Sequence, residues 1–292
     1  MTLSQRMNVA IEYIENNLNS PLVLEEVAKQ AHCSKYHFHR VFFANFNITC
    51  AEYIRRRKLT VAAAQLINTN SSIVDIAFKF GYESPNAFTR AFRNIHGINP
   101  SKARKSGQSL ASYKRVFFTI NNEVEKSMDY RIIEVPEFKL IGSSKRFEFD
   151  NFAKEGPKFW KAYVNSDDYN ALYQLNKGQP RAITNAALLS AYFPTEQGKR
   201  DEFIDVLGIE AAQGDDSSKF ETHTVPMATY AEFECTYKTS MKTNRYIYGE
   251  WFAATGYERD GNKPDIVAYF PIPFKPMSEM RLRWWIPITR KQ

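Results

Sequence analysis

The side chains in this chain best suited to chemistry are hydrogen-bonding groups placed behind a repeated serine. Ser34 is followed by Lys35, Tyr36, His39 and Arg40, and fifty residues later Ser84 is followed by Asn86, Thr89, Arg90 and Arg93. A serine ahead of a helical run caps it by accepting from the free amides of the first turn. On such helices Phe38, Val41 and Phe42 fall on one side, as do Phe88, Ala91 and Phe92, which leaves the polar set on the other. That outer set suits the edges of DNA bases. Arginine pairs with guanine through two bonds, asparagine with adenine likewise, and the threonine methyl meets that of thymine. One such face alone reads equally well as solvated helix surface. Here Ser34, Phe38, Arg40 and Phe42 return as Ser84, Phe88, Arg90 and Phe92, so the spacing is kept while the surface residues vary, which argues for one architecture used twice.

A second constellation joins acids to rings. In ATYAEFEC, Tyr230, Glu232 and Glu234 share one face of a strand, where an acid beside an aromatic ring holds a cation by charge and π contact; an exposed strand face is the alternative. Tyr192, Tyr248, Trp251, Tyr269 and Trp284 are candidate pocket walls, with ordinary core as their alternative. A metal site from His32, Cys33, His37 and His39 fails on geometry, because His37 and His39 are two apart on a helix and point roughly 200° apart. No Walker loop, GxGxxG, GxSxG or HExxH occurs, so no catalytic residue, cofactor or enzyme activity is expected. The run Arg55-Arg56-Arg57-Lys58 reads equally as solvated surface or as phosphate contacts.

The elements that position these residues follow from periodicity. Leu3, Met7, Ala10, Ile11, Ile14 and Leu18 form the apolar stripe of an opening helix. Leu24, Val27, Ala28 and Ala31 repeat the period, and a short break at His32-Cys33-Ser34 precedes KYHFHRVFFANF. Helix, tight turn and capped helix outline a helix-turn-helix. Upstream of the second copy, IAFKFGY answers VAKQAHC with the register shifted by one. Between the copies Leu59, Ala62, Ala63 and Leu66 mark a connecting helix from about Glu52 to Ile67, a strut of roughly 24 Å. Two reading helices on one strut reach successive major grooves without dimerising.

SKARKSGQS is polar and basic, as a boundary is. The expected domains are therefore 1–108, all-α with two helix-turn-helix units, a linker at 109–128, and 129–292. Beyond Tyr130 lie short β-rich runs (YRIIEV, FKLIGSS, AALLSAYF, EFIDVLGI, ATYAEFEC, DIVAYF, RLRWWIPI) around two helical stretches, Phe152–Tyr163 and Thr243–Thr255. This predicts an α+β domain of two strand–helix–strand–strand halves.

Charge agrees with the division. Of the net +7, residues 1–110 carry 14 Lys and Arg against 7 Asp and Glu, whereas the rest carry 25 of each. The basic excess falls on the part expected to meet DNA. Cys33, Cys50 and Cys235 form no CxxC pair and read as reduced thiols, the start lacks a signal-peptide profile, and no run approaches a membrane span. A cytoplasmic protein without a membrane partner is expected.

Two family resemblances follow. On AEYIRRRKL and DIAFKFGYESPNAFTRAFRNIHGINP, residues 8–105 resemble the DNA-binding domain of AraC/XylS regulators. The resemblance implies that Tyr36, His39, Arg40, Asn86, Thr89 and Arg90 face the major groove. Where that family usually has glycine in the first turn this chain has His32, so a strained or reshaped turn is expected there, whereas Gly81 is kept in the second. On YRIIEVPEFKLIG, YAEF, TNRYIYGEWFAATGY, PDIVAY and WWIPI, residues 130–288 resemble the GyrI-like effector-binding fold. That resemblance implies an aromatic pocket, in several members for lipophilic cations near a buried carboxylate. The family often has glutamate two residues before the tyrosine of PDIVAY; this chain has Val267. The expected whole is a transcriptional regulator, monomeric on double-stranded DNA, working with RNA polymerase and tuned by a small apolar or weakly cationic ligand. A hydrolase or a protein-interaction module in the second domain is the alternative.

Overall fold

A computed structural model describes residues 1–106, 110–119, 128–195, 201–261, 263–270 and 280–291. Thr2 begins the first helix, α1 (Leu3–Asn16), with a reciprocal cap: its hydroxyl accepts from Gln5 N at 3.2 Å, and Gln5 Oε1 accepts from Thr2 N at 2.8 Å. Leu3, Met7, Ala10, Ile11 and Ile14 are its buried stripe, as the period requires. Next come α2 (Leu24–Gln30), α3 (Lys35–Phe46), α4 (Cys50–Asn68), α5 (Ile73–Lys79), α6 (Pro85–His96) and α7 (Pro100–Ser106). Helices α3 and α6 start and end fifty residues apart, while α2 and α5 are forty-nine apart, so the one-residue shift belongs to the turns. At 19 residues, α4 is a strut of about 28 Å. Its Leu59, Ala62, Ala63 and Leu66 build one core with Ile76, Ala77, Phe80, Phe88, Phe92 and Ala103.

The two turns have the same backbone. His32 is left-handed at φ 51° and Gly81 at φ 79°. In each, the next residue bonds back five positions, Cys33 N to Ala28 O and Tyr82 N to Ala77 O. The first turn is therefore not reshaped; His32 adopts the conformation that glycine adopts more readily.

The chain divides into two units, Met1–Ile120 and Asn121–Gln292. Of the segment read as linker, residues 109 and 120–127 lie outside the described residues, but 110–119 are fastened to the first unit: Phe118 exchanges two backbone bonds with the Asn8 side chain, both 2.8 Å.

In the second unit the strands are β1 (Arg131–Val135), β2 (Phe138–Glu148), β3 (Leu188–Pro194), β4 (Glu202–Glu210), β5 (Glu221–Val225), β6 (Ala228–Thr236), β7 (Tyr257–Arg259), β8 (Asp265–Tyr269) and β9 (Arg281–Arg290). They form an antiparallel sheet in the order β1-β6-β9-β8-β3-β4-β2-β5, with β7 on β9. The order reads the same from either end when β1, β2, β3 and β4 are exchanged with β5, β6, β8 and β9. This is the signature of two similar halves, and each half lends its short first strand to the other, β1 to β6 and β5 to β2. Each half is thus strand–strand–helix–strand–strand, one strand more than the sequence pattern indicates. Helix α8 (Phe149–Tyr163) fills the middle of the first half, and α10 (Ser240–Tyr246), a π turn (Ile247–Trp251) and α11 (Phe252–Ala254) that of the second. Only the first half carries a further helix, α9 (Asp167–Asn176), among the described residues.

Candidate functional site

Ser84 Oγ accepts from Ala87 N at 3.2 Å, and Pro85 takes the first helical position, where its missing N–H costs nothing. With Phe88 and Phe92 fully buried, α6 turns Asn86, Arg90 and Arg93 to solvent and leaves Thr89 half-buried. Ser34 caps α3 in the same way by accepting from His37 N at 3.2 Å. The first turns of α2, α4 and α5 carry Glu25, Glu26, Glu52 and Asp75, whereas those of α3 and α6 carry no acid.

The outer face of α3 differs from expectation. Tyr36 and His39 are only 4% and 3% exposed, Lys35 and Arg40 are half-buried, and the Arg40 guanidinium lies 5.8 Å from the centre of the Tyr36 ring.

The basic run on α4 is structural. Arg55 and Arg56 both pair with Glu52, and Lys58 Nζ donates to Ser20 O at 3.1 Å and Phe80 O at 3.3 Å. Arg57 forks onto Glu15 of α1 at 2.7–3.1 Å, with Tyr53 donating to the same carboxylate at 2.5 Å. Burial opposes ionisation of Glu15, but the Arg57 and Tyr53 bonds outweigh it and hold its carboxyl below the usual range. Removing one partner from such a pair costs about 3–5 kcal/mol.

In the second unit a cavity of about 370 Å³ lies between helices α8 and α9 and the sheet. That is within the roughly 300–1,000 Å³ of small-molecule sites. Trp160, Tyr169, Tyr173, Leu172, Leu188 and Tyr269 are among the residues that line it, with Trp160 and Tyr269 in edge contact at 5.2 Å. No charged side chain lines it among the described residues, and the amide of Asn176 is already bonded to Gln179 O, Ala187 O and Gly178 N.

Of the candidate ligand residues, Tyr269 alone is in this wall. Tyr192 stacks on Trp284 at 5.9 Å, and the Trp284 indole donates to Ser240 Oγ at 3.0 Å. Tyr248 donates to Asp265, and Trp251 stacks on Tyr257 at 5.7 Å; both are core of the second half. The acidic strand face is a correction. Glu232 is buried but engaged by Trp285 Nε1 at 2.9 Å and by Arg131 at 2.6 Å, while the exposed Glu234 pairs with Arg281. These acids face a side of the sheet where partner arginines neutralise them, so neither borders the cavity.

Asp205, unread in the sequence, is buried on β4. It accepts from Ser190 Oγ at 2.7 Å, and burial pushes its carboxyl up to about 7. Ser190 is paired with Val267 across β3 and β8, and Asp205 lies on β4 beyond β3, so this carboxylate stands two strands from the valine. It is not among the cavity's lining residues.

The comparisons with known proteins fall on the same two segments. Residues 27–106 match a helix-turn-helix domain family, and residues 131–288, more than half of the chain, match the family described as integron-associated effector binding protein. The transposon Tn10 TetD protein of Escherichia coli is 40% identical over 94 residues, 32% of this chain and 68% of TetD. The multiple antibiotic resistance protein MarA of Escherichia coli K12 is 38% identical over 94 residues, 32% of this chain and 74% of MarA. The HTH-type transcriptional regulator YbfP of Bacillus subtilis strain 168 is 34% identical over 114 residues, which is 39% of each chain.

Proposed function

Because this chain belongs to the integron-associated effector-binding family and carries an AraC-type helix-turn-helix domain ahead of that fold, we propose that it is a DNA-binding regulator of transcription switched by a small apolar ligand. Helices α3 and α6 read successive major grooves as parts of one monomer. The observation that carries this reading is the face of α6, where exposed Asn86, Arg90 and Arg93 flank Thr89 on a serine-capped helix. Helix α3 supplies Lys35, Tyr36, His39 and Arg40 once its outer face is exposed on DNA. RNA polymerase is the partner through which a bound regulator acts.

The ligand occupies the cavity under α9. Its aromatic walls and lack of a lining charge among the described residues favour a neutral or weakly cationic molecule, since a full cation loses hydration there with little electrostatic return.

Arg90→Ala tests the DNA reading. It is expected to weaken binding to a duplex enriched from a random pool by about 1–3 kcal/mol while barely changing binding to unselected DNA. Equal loss on both duplexes makes Arg90 a phosphate contact and overturns the assigned role.

A further inference from the structure

We infer that residues 110–119 form a strap that fixes the two helix-turn-helix units relative to each other, and so sets the spacing at which α3 and α6 engage DNA. The strap lies outside both segments that match known families, 27–106 and 131–288.

Its polar attachments to α4 fall between Tyr53 and Thr60. Leu110 packs against the core of the second helix-turn-helix, beside Phe88 and Phe92 of α6. Midway, Tyr113 is held at both ends of its peptide groups: its N–H donates to Thr60 Oγ1 at 3.1 Å and its carbonyl accepts from Arg57 Nη1 at 2.5 Å. Arg56 lies over the Tyr113 ring at 4.9 Å. Val116 N donates to the Tyr53 hydroxyl at 3.4 Å, and that hydroxyl donates onward to Glu15 of α1. At the far end Phe118 makes its paired 2.8 Å bonds with Asn8 of α1 and sets its ring edge against Phe42 at 6.2 Å and Phe46 at 4.7 Å, both on α3. One short segment therefore touches the core under one reading helix and the base of the other.

Helix α4 shares a core with the second unit through Leu59, Ala62, Ala63 and Leu66, so the freedom that remains, restrained in part by the Arg57–Glu15 pair, is a pivot of the first unit near Asn47–Thr49. A segment tied to α4, α1 and α3 removes that freedom, and the Lys58 bonds to Ser20 O and Phe80 O add a second tie from α4 towards each unit. Two contact sites on one body bind cooperatively to the extent that their separation matches that of the targets, and a looser body gains less from the second contact but tolerates more target spacings.

The inference rests on both helices contacting DNA, and the test separates the two ideas. Full-length wild type, Asn8→Ala/Thr60→Val and Phe118→Ala, each shown to be folded by thermal melting, are titrated against the enriched duplex. The same titration uses derivatives with one or two base pairs inserted or deleted between the protected patches. Wild type is expected to lose affinity by about a hundred-fold on altered spacers, whereas the variants lose about ten-fold on the native spacer and then discriminate little among spacers. Variants that weaken equally on every duplex and keep the wild-type spacing profile overturn the strap, since a merely stabilising segment behaves that way. Wild type indifferent to spacing, with the variants matching it, overturns the two-helix reading and the strap with it.

Discussion

Single residues carry most of the chemistry, and Asp205 shows what a residue can hide. Its raised carboxyl, near pH 7, means the folded state keeps a proton that the unfolded chain, titrating near pH 4, gives up. The stability that Asp205 contributes is therefore fully present below about pH 4, is lost as pH rises towards about 7, and changes no further above. Asp205→Asn keeps the bond to Ser190 without the charge, so it is expected to raise the melting temperature at pH 8 and much less at pH 5. Melting curves of the two proteins that stay parallel from pH 5 to pH 8 would contradict a buried, protonated Asp205. Nothing in EFIDVLGI singles out this aspartate, because alternation assigns a face and not the depth of burial that the neighbouring strand and its Ser190 reveal. The outer side of α3 was legible as a side but not as buried, whereas Asn86, Arg90 and Arg93 on α6 were legible as the solvent-facing side. His32 was legible as an exception to glycine that a strained or reshaped turn would answer; the structure instead gives it a left-handed backbone and the same turn bond as the second copy.

At the scale of elements, the repeat at spacing fifty located α3 and α6 because caps, apolar period and length all agree in both copies. The longer strands were legible too, from β-rich runs. The ETHTV run of β5 was not, being short and polar, with its pairing partner on a strand about eighty residues earlier. Helix α9 was missed although Tyr169, Leu172, Tyr173 and Asn176 fall at helical spacing, since a ten-residue stretch rich in Asp and Asn resembles a loop. That miss hid the cavity, for α9 roofs it and has no counterpart among the described residues of the other half. Leu172→Trp is expected to fill the space and to abolish quenching of tryptophan fluorescence by a neutral aromatic dye, while Glu232→Gln leaves it unchanged. Dye binding lost in Glu232→Gln but kept in Leu172→Trp would move the site to the acidic side of the sheet.

The molecule as a whole divides its labour by charge: the basic excess lies in the first 110 residues, and the remainder is balanced. No helix among the described residues is long and apolar enough to cross a membrane. The division into two units, and what each resembles, was the most legible feature of the sequence, because it needs only composition, period and repeat. The unread part was the fastening of 110–119 onto the first unit, which depends on single polar partners such as Asn8 and Thr60 that no period marks. The central claim is that one chain reads DNA at two places with two different helices. Hydroxyl-radical footprinting of wild type, Arg40→Ala and Arg90→Ala on the enriched duplex, with the protein-to-DNA ratio measured alongside, tests it most directly. An asymmetric footprint of two patches about one helical turn apart is expected at one chain per duplex, each variant losing a different patch. A palindromic footprint at two chains per duplex, or loss of the same patch in both variants, would contradict it.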